Sequence, residues 1–164
     1  MSRDRMDLLL AQHIHSWDTE GWYLPLAKAL EGIGPTEAAW QPPGGGNSIW
    51  QTLNHLNYYN ERVLLRTLGA PVGPALPDND ATFQHPGNPE DAAGWQAAVA
   101  KAGEIAEGFR KALSELSDAD LARPLGHGTV GETLPLLINH TAYHTGQIAL
   151  IRKMQHSWPA QRSE

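Results

Sequence analysis

Two histidines near the C-terminal end, His140 and His144, are the residues of this sequence best suited to chemistry. They are four residues apart, which is about one turn of an α-helix, so both imidazoles project from one face. Such a pair can offer two neutral nitrogens to a single metal ion and leave positions for other ligands. The same spacing is also typical of ordinary buried or surface histidines. Its meaning therefore depends on the rest of the chain.

A metal site normally needs a third protein ligand, and His55 is the best candidate for it. On a helical wheel His144 falls within the apolar stripe of its own helix, and His140 lies at the edge of that stripe. His55 lies well off the apolar stripe of its helix, which argues against burial in the core. The position is compatible with a ligand in a groove between two helices, where a site stays open to substrate or water.

The composition argues against several classes of protein and limits which residues could bind a metal. The chain has 164 residues with 41% hydrophobic side chains, which suits one globular domain covering 1–164, and no apolar run approaches the ~20 residues of a membrane span. A net charge of -6 without a Lys/Arg cluster argues against nucleic acid as a partner. Cysteine is absent, so any metal must use His, Asp or Glu, and without an export signal we expect a cytoplasmic protein.

Helical periodicity predicts an all-α protein built on four helices. The first covers roughly 4–31, although Gly21 and Pro25 inside it leave two shorter helices open. Residues 36–47 are rich in proline and glycine and are predicted to be a loop. The second helix covers roughly 48–68 and is the clearest of the four.

A long connection separates the second helix from the third. Residues 70–89 hold too many prolines for an interior element, whereas 89–116 again shows helical spacing. A connection of this length allows consecutive helices to run parallel, which a short loop does not. Residues 117–128 then form a connector.

The fourth helix carries the histidine pair and covers roughly 130–154. Its start has two possible positions. Thr129 has the spacing of a capping box with Glu132, but Pro135 would then remove an interior hydrogen bond. A start capped by Thr133 would avoid that loss. The sequence leaves both open.

Two phrases of this sequence closely resemble the DinB/YfiT-like family. One is SIWQTLNHL on the second helix, and the other is HGTVGETLPLLINHTAYHTGQI leading through the fourth. Members of that family carry one histidine on the second helix and an H-x-x-x-H-x-G-Q pattern on the fourth. The resemblance covers helices two to four in their order, which is most of the chain.

The resemblance implies a four-helix bundle with up-down-down-up connectivity. It also implies a divalent metal ion, such as zinc or nickel, held by His55, His140 and His144. Frequent homodimerisation is a third implication, so a second copy of the chain is an expected partner.

The family's activities make a small-molecule substrate the expected partner of this site. Relatives include transferases and isomerases that use a low-molecular-weight thiol such as mycothiol, bacillithiol or glutathione, and proteins described as metal-dependent hydrolases. Three neutral imidazoles leave the charge of a cation uncompensated, so a bound water or thiol would be acidified. We expect thiol transfer to an electrophile somewhat ahead of hydrolysis. The alternative is a non-enzymatic dimeric metal-binding or stress-related bundle protein.

Other polar residues near the motif have candidate supporting roles. Gln147, one turn beyond His144, could support that ligand or could be an ordinary surface residue. The remaining histidines are expected to be solvated or to lie in loops, with His127 the nearest to the fourth helix: His13, His15, His85, His127 and His156.

Overall fold

The computed structural model describes residues 2–158 and shows a mainly helical protein, which confirms the all-α class. The α-helices in this part of the chain are α1 Asp4–Trp17, α2 Leu26–Leu30, α3 Pro35–Ala39, α4 Ile49–Thr67, α5 Ala92–Glu115 and α6 Val130–Met154. Between them lie the 3-10 helices Asp80–Phe83 and Asp118–Ala122 and the strands β1 Pro124–Leu125 and β2 Gly128–Thr129. No helix within these residues is long and apolar enough to cross a bilayer.

The N-terminal third contains three separate helices. A single helix over 4–31 was wrong, and the alternative of two shorter helices is correct: α1 ends at Trp17 and α2 begins directly after Pro25. The prediction of loop over 36–47 was wrong at its start, because α3 begins with Pro35 at its first position. The Glu37 carboxylate accepts a hydrogen bond from the Gly34 N–H at 3.1 Å and stabilises this short helix.

The helix that carries His55 starts where the sequence predicted. The Ser48 hydroxyl accepts a hydrogen bond from the Gln51 N–H at 3.1 Å, and the Gln51 side chain accepts one from the Ser48 N–H at 3.0 Å. This reciprocal capping box satisfies two N–H groups that a helix start would otherwise leave unpaired. Ser48 is fully buried, so the cap fixes the position of α4 inside the protein.

The start of α6 decides between the two predicted caps. Thr129 accepts a hydrogen bond from the Glu132 N–H at 3.3 Å, and the Glu132 carboxylate accepts one from the Thr129 N–H at 2.9 Å. The start at Thr133 was therefore wrong. Pro135 lies inside the helix and removes one N–H donor, and Gly131 is the residue four positions before it whose carbonyl would have accepted that bond.

The four long helices surround the core. Helix α4 contacts both α5 and α6, and α1 also contacts both of them. One apolar cluster joins α2, α3 and α4 to Trp95 of α5 and to Ile148 and Ile151 of α6. A second joins Met6 of α1 and Phe109 of α5 to α4 and to the first turns of α6. These contacts place α4 and α6 side by side, and the up-down-down-up order of helix directions stays a prediction.

The long connection between α4 and α5 is held against α4. The Ser48 hydroxyl donates to the Pro86 carbonyl at 2.7 Å, and the Gln51 amide donates to the Gln84 carbonyl at 3.4 Å. Gly87, with φ 102°, lies against the face of Trp50, and a Cβ built there would be 2.7 Å from Cδ2 of that ring. The connection is irregular, as predicted, although it contains one 3-10 helix. Its contacts with α4 fix its path.

We expect Gly87→Ala to lower the free energy of unfolding by about 1–3 kcal/mol more than Gly44→Ala, because only Gly87 adds a steric clash with a buried ring. Gly44 is a matched control: its φ is 86° and a Cβ there would meet nothing within 4 Å. Urea denaturation of both variants measures the difference. Equal losses of unfolding free energy in the two variants would show that a Cβ at residue 87 adds backbone strain but no clash with Trp50.

Candidate metal centre

The structure brings His55 of α4 together with His140 and His144 of α6. The Nε2 atom of His140 is 3.0 Å from that of His55 and 3.1 Å from that of His144. Ligand atoms of all three residues lie within 4.8 Å of one another. The three residues predicted from the motif therefore form one cluster, although they come from positions 85 residues apart.

His55 is buried, contrary to the position that its helical wheel indicated. Only 3% of its surface is exposed. The ring of Phe83 is stacked on it with centroids 4.1 Å apart and an interplanar angle of 12°, and Tyr59 meets it edge-on at 5.0 Å. The wheel failed because it considers one helix alone. Phe83, which covers the imidazole, belongs to the connection after α4.

A hydrogen-bond chain fixes which nitrogen of His55 faces the cluster. Thr82 donates its hydroxyl hydrogen to the Asn79 carbonyl at 2.5 Å, so its oxygen accepts from His55 Nδ1–H at 2.6 Å. This assignment follows from the network of donors and acceptors. Because Nδ1 holds the proton, Nε2 of His55 presents a lone pair to the other two histidines.

Gln147 has the same effect on the third histidine. Its amide oxygen accepts a hydrogen bond from His144 Nδ1–H at 2.6 Å, which leaves a lone pair on His144 Nε2. Of the two roles that the sequence left open for Gln147, the contact with His144 is the one present. Lone pairs from two imidazoles now point at Nε2 of His140. A cation between the three nitrogens, or a proton on His140 shared with its neighbours, satisfies this arrangement.

The imidazoles are held in the neutral form. Burial, followed by the proximity of His144 and His140, lowers the pKa of His55 to about 4. Burial and His144 lower the pKa of His140 to about 4 as well. Burial also lowers the pKa of His144, against the opposing effect of Gln147. All three are deprotonated at neutral pH, and a neutral imidazole is the form that binds metal.

Two of the three separations between the nitrogens fit a first-row divalent ion. Two nitrogens bound ~2.0–2.1 Å from one ion, at the roughly 90–109° angles of octahedral or tetrahedral sites, are about 2.9–3.4 Å apart. The observed separations of 3.0 and 3.1 Å fall in this range. The donor set is all imidazole, which suits zinc, nickel, copper or iron better than magnesium or calcium. The choice of zinc or nickel stays a prediction.

The three-histidine cluster forms one end of an open cleft of about 750 Å³. This volume is in the range that accommodates a small organic molecule. Its walls are mainly apolar, and besides the cluster they comprise Tyr59, Arg66, Asn79, Phe83, Leu125, Gly126, His127, Gly128, Glu132, Thr133, Leu136, Leu137 and Tyr143.

Two of the remaining histidines, His13 and His127, have surroundings that the sequence did not predict. His13 was expected to be solvated, and this was wrong: it is half-buried, its Nε2 lies 3.0 Å from the Ala106 carbonyl, and it contacts the ring of Phe109. His127 is exposed in the turn between β1 and β2 and lines the cleft. Its loop position was predicted, but its place in the wall was not.

Three residues that shape the site were not predicted, and two of them had no signal in the sequence. Thr82 and Phe83 belong to the 3-10 helix Asp80–Phe83, and Tyr59 lies one turn after His55 on α4. The spacing of Tyr59 from His55 could have suggested the contact. Thr82 and Phe83 could not have been found in this way, since no local pattern links them to a helix that ended many residues earlier.

Together these features define a helical protein with a three-histidine cluster at one end of a small-molecule cleft. The profile of the DinB superfamily matches residues 25–148, which include α2 to α5 and all of α6 up to Ile148. The chain belongs to this superfamily. No curated protein matches the chain.

Acid should destabilise the metal-free protein as pH falls from about 6.5 towards 4. The folded state holds His55 and His140 with pKa values of about 4, whereas the unfolded chain binds protons near 6.5. The unfolded state therefore binds more protons in this window, and stability rises with pH.

Melting temperatures between pH 7 and pH 4 measure this effect. In the double variant His55→Gln/His140→Gln the pH dependence should become shallower but should not vanish, because burial also lowers the pKa of His144 and of His13. An unchanged slope would contradict the assignment of depressed pKa values to the cluster.

Thr82→Val tests the orientation of His55. Valine keeps the volume of Thr82 but cannot accept the Nδ1–H hydrogen bond, so we expect cobalt(II) affinity to fall by about 10–100-fold. Thr145→Val is the matched control, because Thr145 is equally buried next to His144 and its hydroxyl donates to the Thr141 carbonyl instead. Competition titration measures both variants, and equal affinities would show that Thr82 does not orient the ring.

Proposed function

We propose that the protein binds a divalent cation, zinc or nickel, through Nε2 of His55, His140 and His144, and that it is a metal-dependent enzyme. The observation that carries this proposal is the convergence of the three Nε2 atoms, two of them with the lone pair set by a hydrogen bond at Nδ1. Lone pairs brought this close repel unless a proton or a cation lies between them.

The proposed reaction is transfer of a low-molecular-weight thiol to an electrophilic small molecule. A divalent ion held only by neutral imidazoles supplies uncompensated positive charge, which lowers the pKa of a thiol or water bound to it. Two features of the cleft support thiol transfer over hydrolysis. Its walls are mainly apolar, and among the described residues that line it Glu132 is the one carboxylate. That carboxylate accepts two hydrogen bonds from Thr129 at Oε2, which ties it to the cap of α6.

The surrounding residues contribute orientation and exclusion of water. Thr82 and Gln147 hold the rings of His55 and His144 so that Nε2 faces the cleft. Phe83 and Tyr59 shield His55 from solvent, which keeps the imidazole neutral and the site at low dielectric. An electrophile would lie against the apolar wall on the α6 side.

Metal analysis of protein purified without an affinity tag tests the ligand assignment. We expect about one ion per chain after reconstitution, and each of His55→Ala, His140→Ala and His144→Ala should lose it while keeping its helical circular dichroism. His15→Ala is the control, since His15 is exposed on α1 and remote from the cluster in the chain. Retention of metal by all three cluster variants would refute the assignment.

A reaction screen separates the chemistries. The reconstituted protein is incubated with small thiols and electrophiles in one series and with esters and amides in the other. Metal-dependent consumption of thiol supports transfer, and metal-dependent cleavage alone supports hydrolysis. If metal is bound and neither series shows a metal-dependent reaction, the non-enzymatic alternative is favoured.

We further propose that a second copy of the chain binds along α6. Leu136, Tyr143 and Leu150 recur every seven residues on that helix and are 68%, 65% and 59% exposed. Gly146 lies between the last two, and nothing within 4 Å would meet a side chain there, so another helix can approach closely. An apolar stripe at heptad spacing is self-complementary in a symmetric pair.

Leu150→Glu tests this homodimer. A carboxylate within the interface should shift the protein to monomer in sedimentation velocity, because a buried unpaired charge is costly. Lys153→Glu changes charge on the same helix at an exposed polar position and should keep the wild-type state. If wild type and both variants sediment as monomers at high concentration, the stripe is not a self-interface.

A further inference from the structure

At the opposite end of the cleft from the histidine cluster lies an arginine that no described residue neutralises. Arg66 of α4 lines the cleft and follows His55 by about three turns, or ~16 Å along the helix axis. Its guanidinium makes no hydrogen bond or ion pair with any of residues 2–158. Two other arginines near this part of α4 differ, because Arg62 donates to the Gly73 carbonyl at 2.9 Å and Arg123 donates to the Thr67 carbonyl at 3.1 Å.

The turn between β1 and β2 leaves this guanidinium open to the cleft. Gly126 has φ 66°, and a Cβ there would lie 3.7 Å from Nη1 of Arg66, so the turn passes directly beside the charge. Glu132 lines the same part of the cleft, but its carboxylate accepts hydrogen bonds from Thr129 and forms no ion pair with Arg66. The cation therefore remains available to a ligand.

An apolar surface connects the two ends. Leu125, Leu137 and Phe83 form buried or half-buried parts of the wall. An unpaired cation at one end of an apolar cleft complements a molecule that is apolar along its length and anionic at one end. A single guanidinium can hold a carboxylate with two parallel hydrogen bonds. Its one positive charge balances a carboxylate, whereas a phosphate dianion would keep one negative charge uncompensated.

We propose that the substrate of this cleft is an amphipathic carboxylate whose anionic end binds Arg66 and whose reacting end lies at the three histidines. The position of the reacting end at the three histidines rests on the proposed function, whereas the binding of the anionic end by Arg66 does not. Arg66 selects the substrate and sets its direction in the cleft. Chain length then determines whether one molecule reaches both ends.

Thiols that carry an acid or an alcohol at the far end test both halves. The probes are mercaptopropionate, mercaptohexanoate and mercaptoundecanoate, each compared with the mercaptoalcohol of the same length. Cobalt(II)-loaded protein reports the thiol end through its thiolate absorption band. The acid should bind about tenfold more tightly than the alcohol for the longest pair, and the shortest pair should show no preference because it cannot reach Arg66.

Substitutions of Arg66 identify the origin of that preference. Arg66→Gln should reduce the acid-to-alcohol affinity ratio of the longest pair to about one, and Arg66→Lys should keep part of it. Lys111→Gln removes an exposed cation on α5, outside the cleft, and controls for net charge. A ratio that survives Arg66→Gln, or that falls equally in Lys111→Gln, overturns the proposal.

A metal-free arm separates this proposal from the proposed function. Decanoate and decanol are titrated by calorimetry into metal-free wild type and metal-free Arg66→Gln. Preference for decanoate that disappears in Arg66→Gln supports the carboxylate site even if cobalt fails to bind, which would count against the metal assignment alone. Equal binding of decanoate to both proteins overturns the role of Arg66, whatever the metal result.

Discussion

The site depends on holding three uncharged imidazoles against one another inside the protein. No carboxylate among residues 2–158 partners them, and burial opposes their protonation, so the rings remain neutral. Neutral rings can be aimed by one hydrogen bond each. For His55 and His144 this bond is made at Nδ1, to Thr82 and Gln147, and the opposite nitrogen is thereby turned towards the cleft. The connection between α4 and α5 meets this requirement for His55, because Thr82 orients the ring and Phe83 covers it.

Two helix starts give that arrangement its rigidity. The capping boxes at Ser48 and Thr129 fix where α4 and α6 begin, so they also fix the height of each histidine along its helix. Thr141 and Thr145, on either side of His144, donate their hydroxyls to carbonyls four residues earlier and therefore bring no unpaired polar group into the core. Helix α6 can then carry two histidines and a proline within one continuous element.

The sequence predicted those parts of the protein that local chemistry determines. The cap at Ser48 was predicted, and the cap at Thr129 and the contact of Gln147 with His144 were alternatives that the sequence left open. All three involve partners within four residues, and all are present. The small hairpin around Gly126 was missed because strands of two residues cannot show alternation. His13 and His55 were placed too near solvent for a related reason. Their cover comes from α5 and from Phe83, and a helical wheel contains no information about neighbours distant in the chain.

The 3-10 helix Asp80–Phe83 and the residue before it serve two purposes at once. Thr82 orients a histidine of the cluster, while Asn79 and Phe83 form part of the cleft wall. A substitution that reshapes this wall for a different ligand therefore acts on the same few residues that aim His55. Under the proposed function, a variant of these residues that changes ligand preference therefore changes metal affinity as well.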